Sequence, residues 1–134
     1  MKRAITTTAP IRILLVEDEF LISAWVEQSL SEQGFLVRTA TNAADALRYL
    51  AAAPVDVLFT DINLGGDMDG VTLAWRAREF LPDLPVVYAS AQVGLAGLDR
   101  PVPGSIFVPK PYAPESVGRL LAKAFALTEC RAPA

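Results

Sequence analysis

Five short apolar, β-rich runs alternate along the chain with segments of helical period, and no other feature restricts the possible folds as much. The runs are Ile11 to Val16, Phe35 to Ala40, Val55 to Thr60, Pro85 to Ala89 and Ser105 to Val108. Such alternation is the pattern of an α/β domain built on a parallel sheet. Four of the runs are nearly continuously hydrophobic, as strands covered on both faces require. Phe35 to Ala40 alternates more and carries Arg38, so it belongs at an edge.

Between the runs, apolar residues recur at spacings of three and four. Ile22, Trp25, Val26 and Leu30 form one stripe, and Ala43, Ala46, Leu47 and Leu50 a second. Leu73, Ala74, Ala77 and Leu81 form a third; Val117, Leu120, Leu121, Ala124 and Phe125 form the last. Gly34 stands where a C-terminal glycine stops the first helix, and Pro82 follows the third. The interval from Ala91 to Gly104 holds Gly94, Gly97, Pro101 and Pro103, so only a short or fraying helix is expected there. Residues 1–10 read as a flexible N-terminal segment, 11–128 as the domain and 129–134 as a tail.

With 134 residues, 52% of them hydrophobic, the chain has enough material for one domain with a real core. The net charge of -3 and the scattered Lys and Arg residues argue against nucleic-acid binding, which needs clustered cations. No histidine is present, which excludes histidine-dependent catalysis and most zinc sites. One cysteine, Cys130, precludes an internal disulfide and fits a reducing compartment. The start, MKRAITTTAP, has no apolar run behind it, and no apolar stretch is long enough to span a bilayer. A soluble, cytoplasmic protein is expected, with no membrane partner.

In open α/β sheets, ligands collect beyond the carboxyl ends of the strands, where the strand order reverses. The first run ends in Glu17-Asp18-Glu19, the third in Asp61 and the fourth in Ser90; the fifth leads into Lys110. Two unit charges about 4 Å apart repel by roughly 1 kcal/mol in water and about 4 kcal/mol at an effective dielectric near 20. Carboxylates converging on one rim therefore point to a hard divalent cation, and oxygen donors of this kind suit Mg²⁺. A cation, a lysine and a hydroxyl around one carboxylate would stabilise a phosphoryl group moving onto it. Asp61 would be the nucleophile, an aspartyl phosphate being a recognised covalent intermediate.

The motifs ILLVEDE, LFTDINL, MDG, VVYASA and VPKPY, in this order, resemble the response-regulator receiver family over roughly Ile11 to Leu127. The resemblance implies a flavodoxin-like, doubly wound five-stranded parallel sheet of order 2-1-3-4-5. It implies that Asp61 is phosphorylated by a histidine kinase or phosphotransfer protein. Asp18 would bind Mg²⁺ directly, Glu17 through water, and Asn63 through its backbone carbonyl. Ser90 takes the position of the family's threonine or serine, and Lys110 would pair with the phosphoryl group. Lys110-Pro111 would be a cis peptide. Phe107 matches the aromatic that swings inward when the hydroxyl residue moves. The loop INLGGD differs from the slightly shorter, proline-containing loop of many members. VVYASA with VPKPY resembles a subgroup common in alphaproteobacteria, with serine here in place of threonine.

Each residue also has a structural alternative. Asp18 or Ser90 is a good N-cap, Asp61 an ordinary loop acid, Lys110 an exposed lysine and Phe107 a core residue. Asp67 and Asp69 read as turn residues beside glycines, and Trp25 and Trp75 as packing or surface anchors. Independent loop residues are not expected to bring two adjacent acids, an acceptor acid, a hydroxyl and a lysine to one rim.

A flavin or nucleotide binder of the same topology would present Gly, Ser and Thr amides after the first strand, whereas Glu17-Asp18-Glu19 repels phosphate. A phosphatase would need an acid where Asn63 stands, so no enzyme is expected. The other alternative is a phosphorylation-independent interaction module. With CRAPA closing the sequence soon after the last stripe, the stand-alone type is expected. It would signal through a downstream protein target, as a monomer or weak dimer, by a surface from the fourth-helix region, fifth strand and last helix.

Overall fold

β1 (Arg12–Val16), β2 (Leu36–Ala40), β3 (Val57–Asp61), β4 (Val86–Ser90) and β5 (Ile106–Pro109) form the sheet. They alternate with α1 (Phe20–Glu32), α2 (Ala43–Ala52), α3 (Gly70–Phe80) and α4 (Pro114–Arg131). This computed structural model describes residues 9–91 and 100–131. Most of the interval in which a fraying helix is expected, 92–99, lies outside the described residues; 100–104 is turn and irregular chain.

The sheet order is β2-β1-β3-β4-β5, with every pairing parallel. That is the expected doubly wound order, with the alternating run Leu36–Ala40 at an edge. The chain leaves β1 toward β2 and returns to β3 on the other side, so the crevice at the reversal opens beyond the ends of β1 and β3.

Each sheet face has its own core. α1 and α4 cover one, where Val26, Leu30, Val117 and Leu121 meet Ile13, Leu15, Val57, Phe59 and Val87. On the other, Ala43, Ala46, Leu50, Leu73, Ala74 and Ala77 of α2 and α3 meet Leu14, Val16, Leu58, Val86 and Tyr88. Strands β3 and β4 are buried at every position, which is why their sequences carry no polar alternation.

Several local features follow the sequence and some depart from it. Gly34 adopts φ +105° just after α1 and ends it. Asn42 caps α2 by accepting the Asp45 amide at 2.8 Å. Asp69, read as a turn residue, caps α3 by accepting the Thr72 amide at 2.8 Å. β3 begins at Val57 instead of Val55, because the Asp56 carboxylate binds the Arg12 amide at 2.8 Å and the Arg12 guanidinium at 3.0 Å. α4 continues through Cys130 to Arg131, since no Gly or Pro interrupts it until Pro133.

The largest departure is in α1, which buries Ser23, Val26 and Leu30 while Trp25, a member of the expected stripe, stays 54% exposed. Phe20 and Leu21 are also exposed. Apolar residues occur around most of α1, so periodicity alone does not define its inner face.

Two glycines sit at close approaches with opposite consequences. A Cβ on Gly70 would overlap the Asp61 carbonyl oxygen and stand 3.0 Å from Ile62 Cα, and backbone cannot yield cheaply. A Cβ on Gly118 would displace the Gln33 side-chain amide, which can swing away, and would stand 3.3 Å from the Phe35 ring. Gly70→Ala is therefore expected to cost roughly 1–3 kcal/mol, as overpacking does. In Gly118→Ala, about 1 kcal/mol of helix propensity gained offsets about 1 kcal/mol for the bond from Gln33 to Pro114. Urea unfolding of the two variants checks this; equal losses would contradict it.

Candidate functional site

The ends of four strands assemble the site, because the parallel sheet sends every carboxyl end to the same rim. Glu17 follows β1 and donates its amide to the Ala40 carbonyl at 3.1 Å, so the ladder to β2 extends into the site. Asp61 is the last residue of β3 and Ser90 the last of β4. Lys110 follows β5, and its amide donates to the Ser90 carbonyl at 2.9 Å, tying the two strand ends together. The Lys110-Pro111 bond is cis, as the family resemblance implies.

Glu17, Asp61 and Ser90 are buried, whereas Asp18 is exposed. Lys110 Nζ lies 3.0 Å from Glu17 Oε1 and 3.2 Å from Asp61 Oδ2, bridging the two buried carboxylates. Asp18 does not cap α1: Glu19 holds the N-cap position, without a side-chain cap bond. The Asp18 carboxylate instead accepts the Gly65 amide at 3.1 Å. Gly65 belongs to the INLGGD loop, whose next residue, Gly66, has φ +97°. Asn63 lies exposed in this loop, and its backbone N–H donates to the Asp61 carboxylate.

The electrostatics reflect crowding. Burial raises the Glu17 pKa, and the Glu19 amide and Lys110 only partly counter it. Burial likewise raises Asp61; Lys110 and the Asn63 amide lower it and Asp18 adds repulsion. For Lys110, burial acts downward, but its hydrogen bond to Glu17 and the charge of Asp61 outweigh it and hold the ammonium above its ordinary value. Tyr112, half-buried beside this group with its ring tilted on Phe59 at 5.7 Å, is pushed up to about 12, chiefly by desolvation.

Glu17, Asp18 and Asp61 each offer a carboxylate oxygen, all within 4.8 Å of one another. Three acids against one lysine leave uncompensated negative charge in a partly dry crevice. All the donors are hard oxygens, so the set fits Mg²⁺ and not a soft metal.

Phe107, half-buried on β5, packs against the α2–α3 core and lies directly across from Tyr88 of β4. Three supporting residues, Gly65, Gly70 and Tyr88, have contacts at the site that the sequence does not reveal. The MDG motif pointed to Gly70, but its approach to Asp61 depends on the turn that joins β3 to α3. Gly65 lies in the INLGGD loop and Tyr88 in VVYASA, but neither motif signals that Gly65 binds Asp18 or that the Tyr88 hydroxyl binds Val102.

Residues 13–117 match the profile of the response regulator receiver domain. The chain belongs to the response-regulator receiver family. Over 102 residues it is 33% identical to the DNA-binding transcriptional regulator NtrC of Rhizobium meliloti, a match covering 75% of this chain and 21% of NtrC. The chain thus spans about a fifth of that relative's length. It is 35% identical over 85 residues to the response regulator receiver protein CpdR of Brucella abortus, covering 63% of this chain and 70% of CpdR. Among solved structures, a response regulator receiver protein from Sinorhizobium medicae superposes with a TM-score of 0.82 at 31% identity, over 89% of this chain and 97% of its own. The receiver domain of the hybrid histidine kinase CckA gives 0.73 at 28% identity, covering 85% and 98%.

Receivers are modules of two-component signalling rather than classical enzymes, and they bind Mg²⁺ at an acidic pocket; in this chain Glu17, Asp18 and Asp61 form an acidic cluster. Among the described residues no helix is long and apolar enough to cross a membrane.

The crowding predicts a stability effect. In EDTA, Asp61→Asn is expected to raise the unfolding free energy by about 1 kcal/mol or more, since it removes a buried charge repelled by its neighbours. Mg²⁺ should then stabilise the parent protein more than the variant. Denaturant melts with and without Mg²⁺ measure both, and a less stable variant in EDTA would contradict this account.

Proposed function

We propose that Asp61 accepts a phosphoryl group from the phosphohistidine of a kinase or phosphotransfer protein, and that the receiver then signals through a changed protein-binding surface. The observation that carries this reading is the Lys110 ammonium set between Glu17 and the buried Asp61 carboxylate. An Asp61 oxygen forms the new P–O bond while the P–N bond to the donor imidazole breaks. The imidazole keeps the electron pair and takes a proton from solvent.

The residues divide the work. Lys110, already paired with Asp61 Oδ2, neutralises charge developing on the phosphoryl oxygens. Ser90, at the neighbouring strand end, supplies a hydroxyl for the same oxygens. Glu17, Asp18, the Asp61 carboxylate and the Asn63 carbonyl would hold Mg²⁺, which when bound screens the acids and draws in phosphoryl oxygens. Phe107 and Ser90 form the switch, with Phe107 turning inward as the Ser90 hydroxyl moves toward the phosphoryl group.

A phosphodonor protein needs a surface beside Asp61. An apolar depression of about 290 Å³ next to Lys110 is lined by Ile22, Trp25, Ala91, Pro111 and Tyr112. Phe20 and Leu21, 77% and 79% exposed, lie at the start of α1, on the helix that carries Trp25. Apolar side chains left exposed at a rim suit a transient protein contact better than a small polar substrate.

With Mg²⁺ and acetyl phosphate, intact mass should rise by one phosphoryl group, and Asp61→Asn should abolish the gain. Lys110→Ala should slow labelling by roughly a hundredfold, the scale of one lost charge-stabilising donor. Acid-labile phosphate retained in Asp61→Asn would refute the assignment. An unmodified parent protein would favour a phosphorylation-independent interaction module.

The surface has its own test. Phe20→Ala with Trp25→Ala should reduce transfer from a phosphorylated histidine donor by roughly tenfold, as for loss of an interface anchor, while acetyl phosphate labelling persists. Equal losses with both donors would remove α1 from the docking surface.

A further inference from the structure

Residues 100–104 lead into β5 without regular structure of their own, and side chains from two different elements hold them. From α3, Trp75 Nε1 donates to the Arg100 carbonyl at 2.6 Å, and Arg78 Nη1 donates to the Pro103 carbonyl at 2.8 Å. From β4, the Tyr88 hydroxyl accepts the Val102 amide at 3.1 Å. Arg100 sits at φ +59°, with its guanidinium 5.5 Å from the centre of the Trp75 ring. A non-glycine residue keeps such a conformation only where its surroundings hold it there.

The two sets of tethers differ in kind. Tyr88 and Val102 are 0% and 1% exposed, so their bond is shielded from water. Those from Trp75 and Arg78 to the strap lie at the exposed surface, where water competes for the same carbonyls. Burial raises the Tyr88 pKa, so its hydroxyl stays protonated at neutral pH. Tyr88 also stands two residues before Ser90, on the same face of β4 by strand alternation, and directly across from Phe107.

We propose that Tyr88 is a positioning residue that fastens the 100–104 strap to β4, so that a shift of the Ser90 end of β4 moves the strap against its weaker tethers to Trp75 and Arg78. Ser90 and the strap then move as one body, and α3 is the surface they move against. The inference rests on the reading of Asp61 as phosphoacceptor and adds the route by which the switch leaves the site. Sequence periodicity gives Tyr88 only a core role; the hydroxyl's partner assigns the further one.

The test uses the full chain carrying Trp25→Phe, which leaves Trp75 as its one tryptophan. Bound beryllofluoride is followed by fluorine NMR in the presence of Mg²⁺, and the strap by Trp75 emission. With Tyr88 present, beryllofluoride is expected to shift Trp75 emission. Tyr88→Phe keeps the ring and core volume. In that variant beryllofluoride should still bind while the Trp75 response falls by roughly fivefold, the factor one neutral hydrogen bond is worth in an equilibrium. A second measurement needs no variant at position 88: the Val102 amide should exchange slowly both with and without beryllofluoride. Bound beryllofluoride with an equal or absent Trp75 response in both proteins, or fast Val102 exchange in the bound state, overturns the inference alone. No bound beryllofluoride in either protein overturns the acceptor reading and the inference with it.

Discussion

The contact of Lys110 with Glu17 and Asp61 is the interaction on which the rest of the site depends. A doubly wound sheet sends the ends of β1 and β3 to one crevice, and both ends carry acids. Without a cation between them, buried Glu17 and Asp61 would repel each other in a medium that screens poorly. The lysine reaches them from β5, two strands from β3, and that reach requires β4 and β5 to be in register. The Lys110 amide bond to Ser90 fixes that register. Strand order, charge compensation and the Ser90 position are therefore one problem with one solution.

The Asp61 end is held from behind as well. The Gly70 amide donates to the Ile62 carbonyl at 2.8 Å, bringing α3 against the backbone just after Asp61. Gly65 similarly fixes Asp18 through a backbone amide. Much of the site's geometry is thus set by main chain, which restricts how far the carboxylates move when the charge among them changes.

The sheet was legible because its determinants are local. Continuous apolar runs mark strands covered on both faces, and β3 and β4 are buried throughout. Arg38 marked the edge for the same reason. The acids, Ser90 and Lys110 could be placed because each sits at a strand end, and strand ends in a parallel sheet share a rim. The inner face of α1 was not legible, since Phe20, Leu21 and Trp25 are as apolar as the residues that are buried. Nor were the partners of Asp18 and Tyr88. Their bonds join residues 47 and 14 positions apart, and such pairings depend on loop paths that composition does not encode.

The same alternation that identified β2 also limits how the sheet can grow. Leu36, Arg38 and Thr39 are exposed on this rim strand, and the arginine places a charge where another strand would pair. At the opposite rim, β5 has only four residues and ends in Pro109, which has no amide hydrogen to offer a neighbour. Both margins are poor templates for a sixth strand. That leaves the helices and loops as the surfaces where side chains can be exchanged one at a time without altering the backbone ladder that holds the acids together.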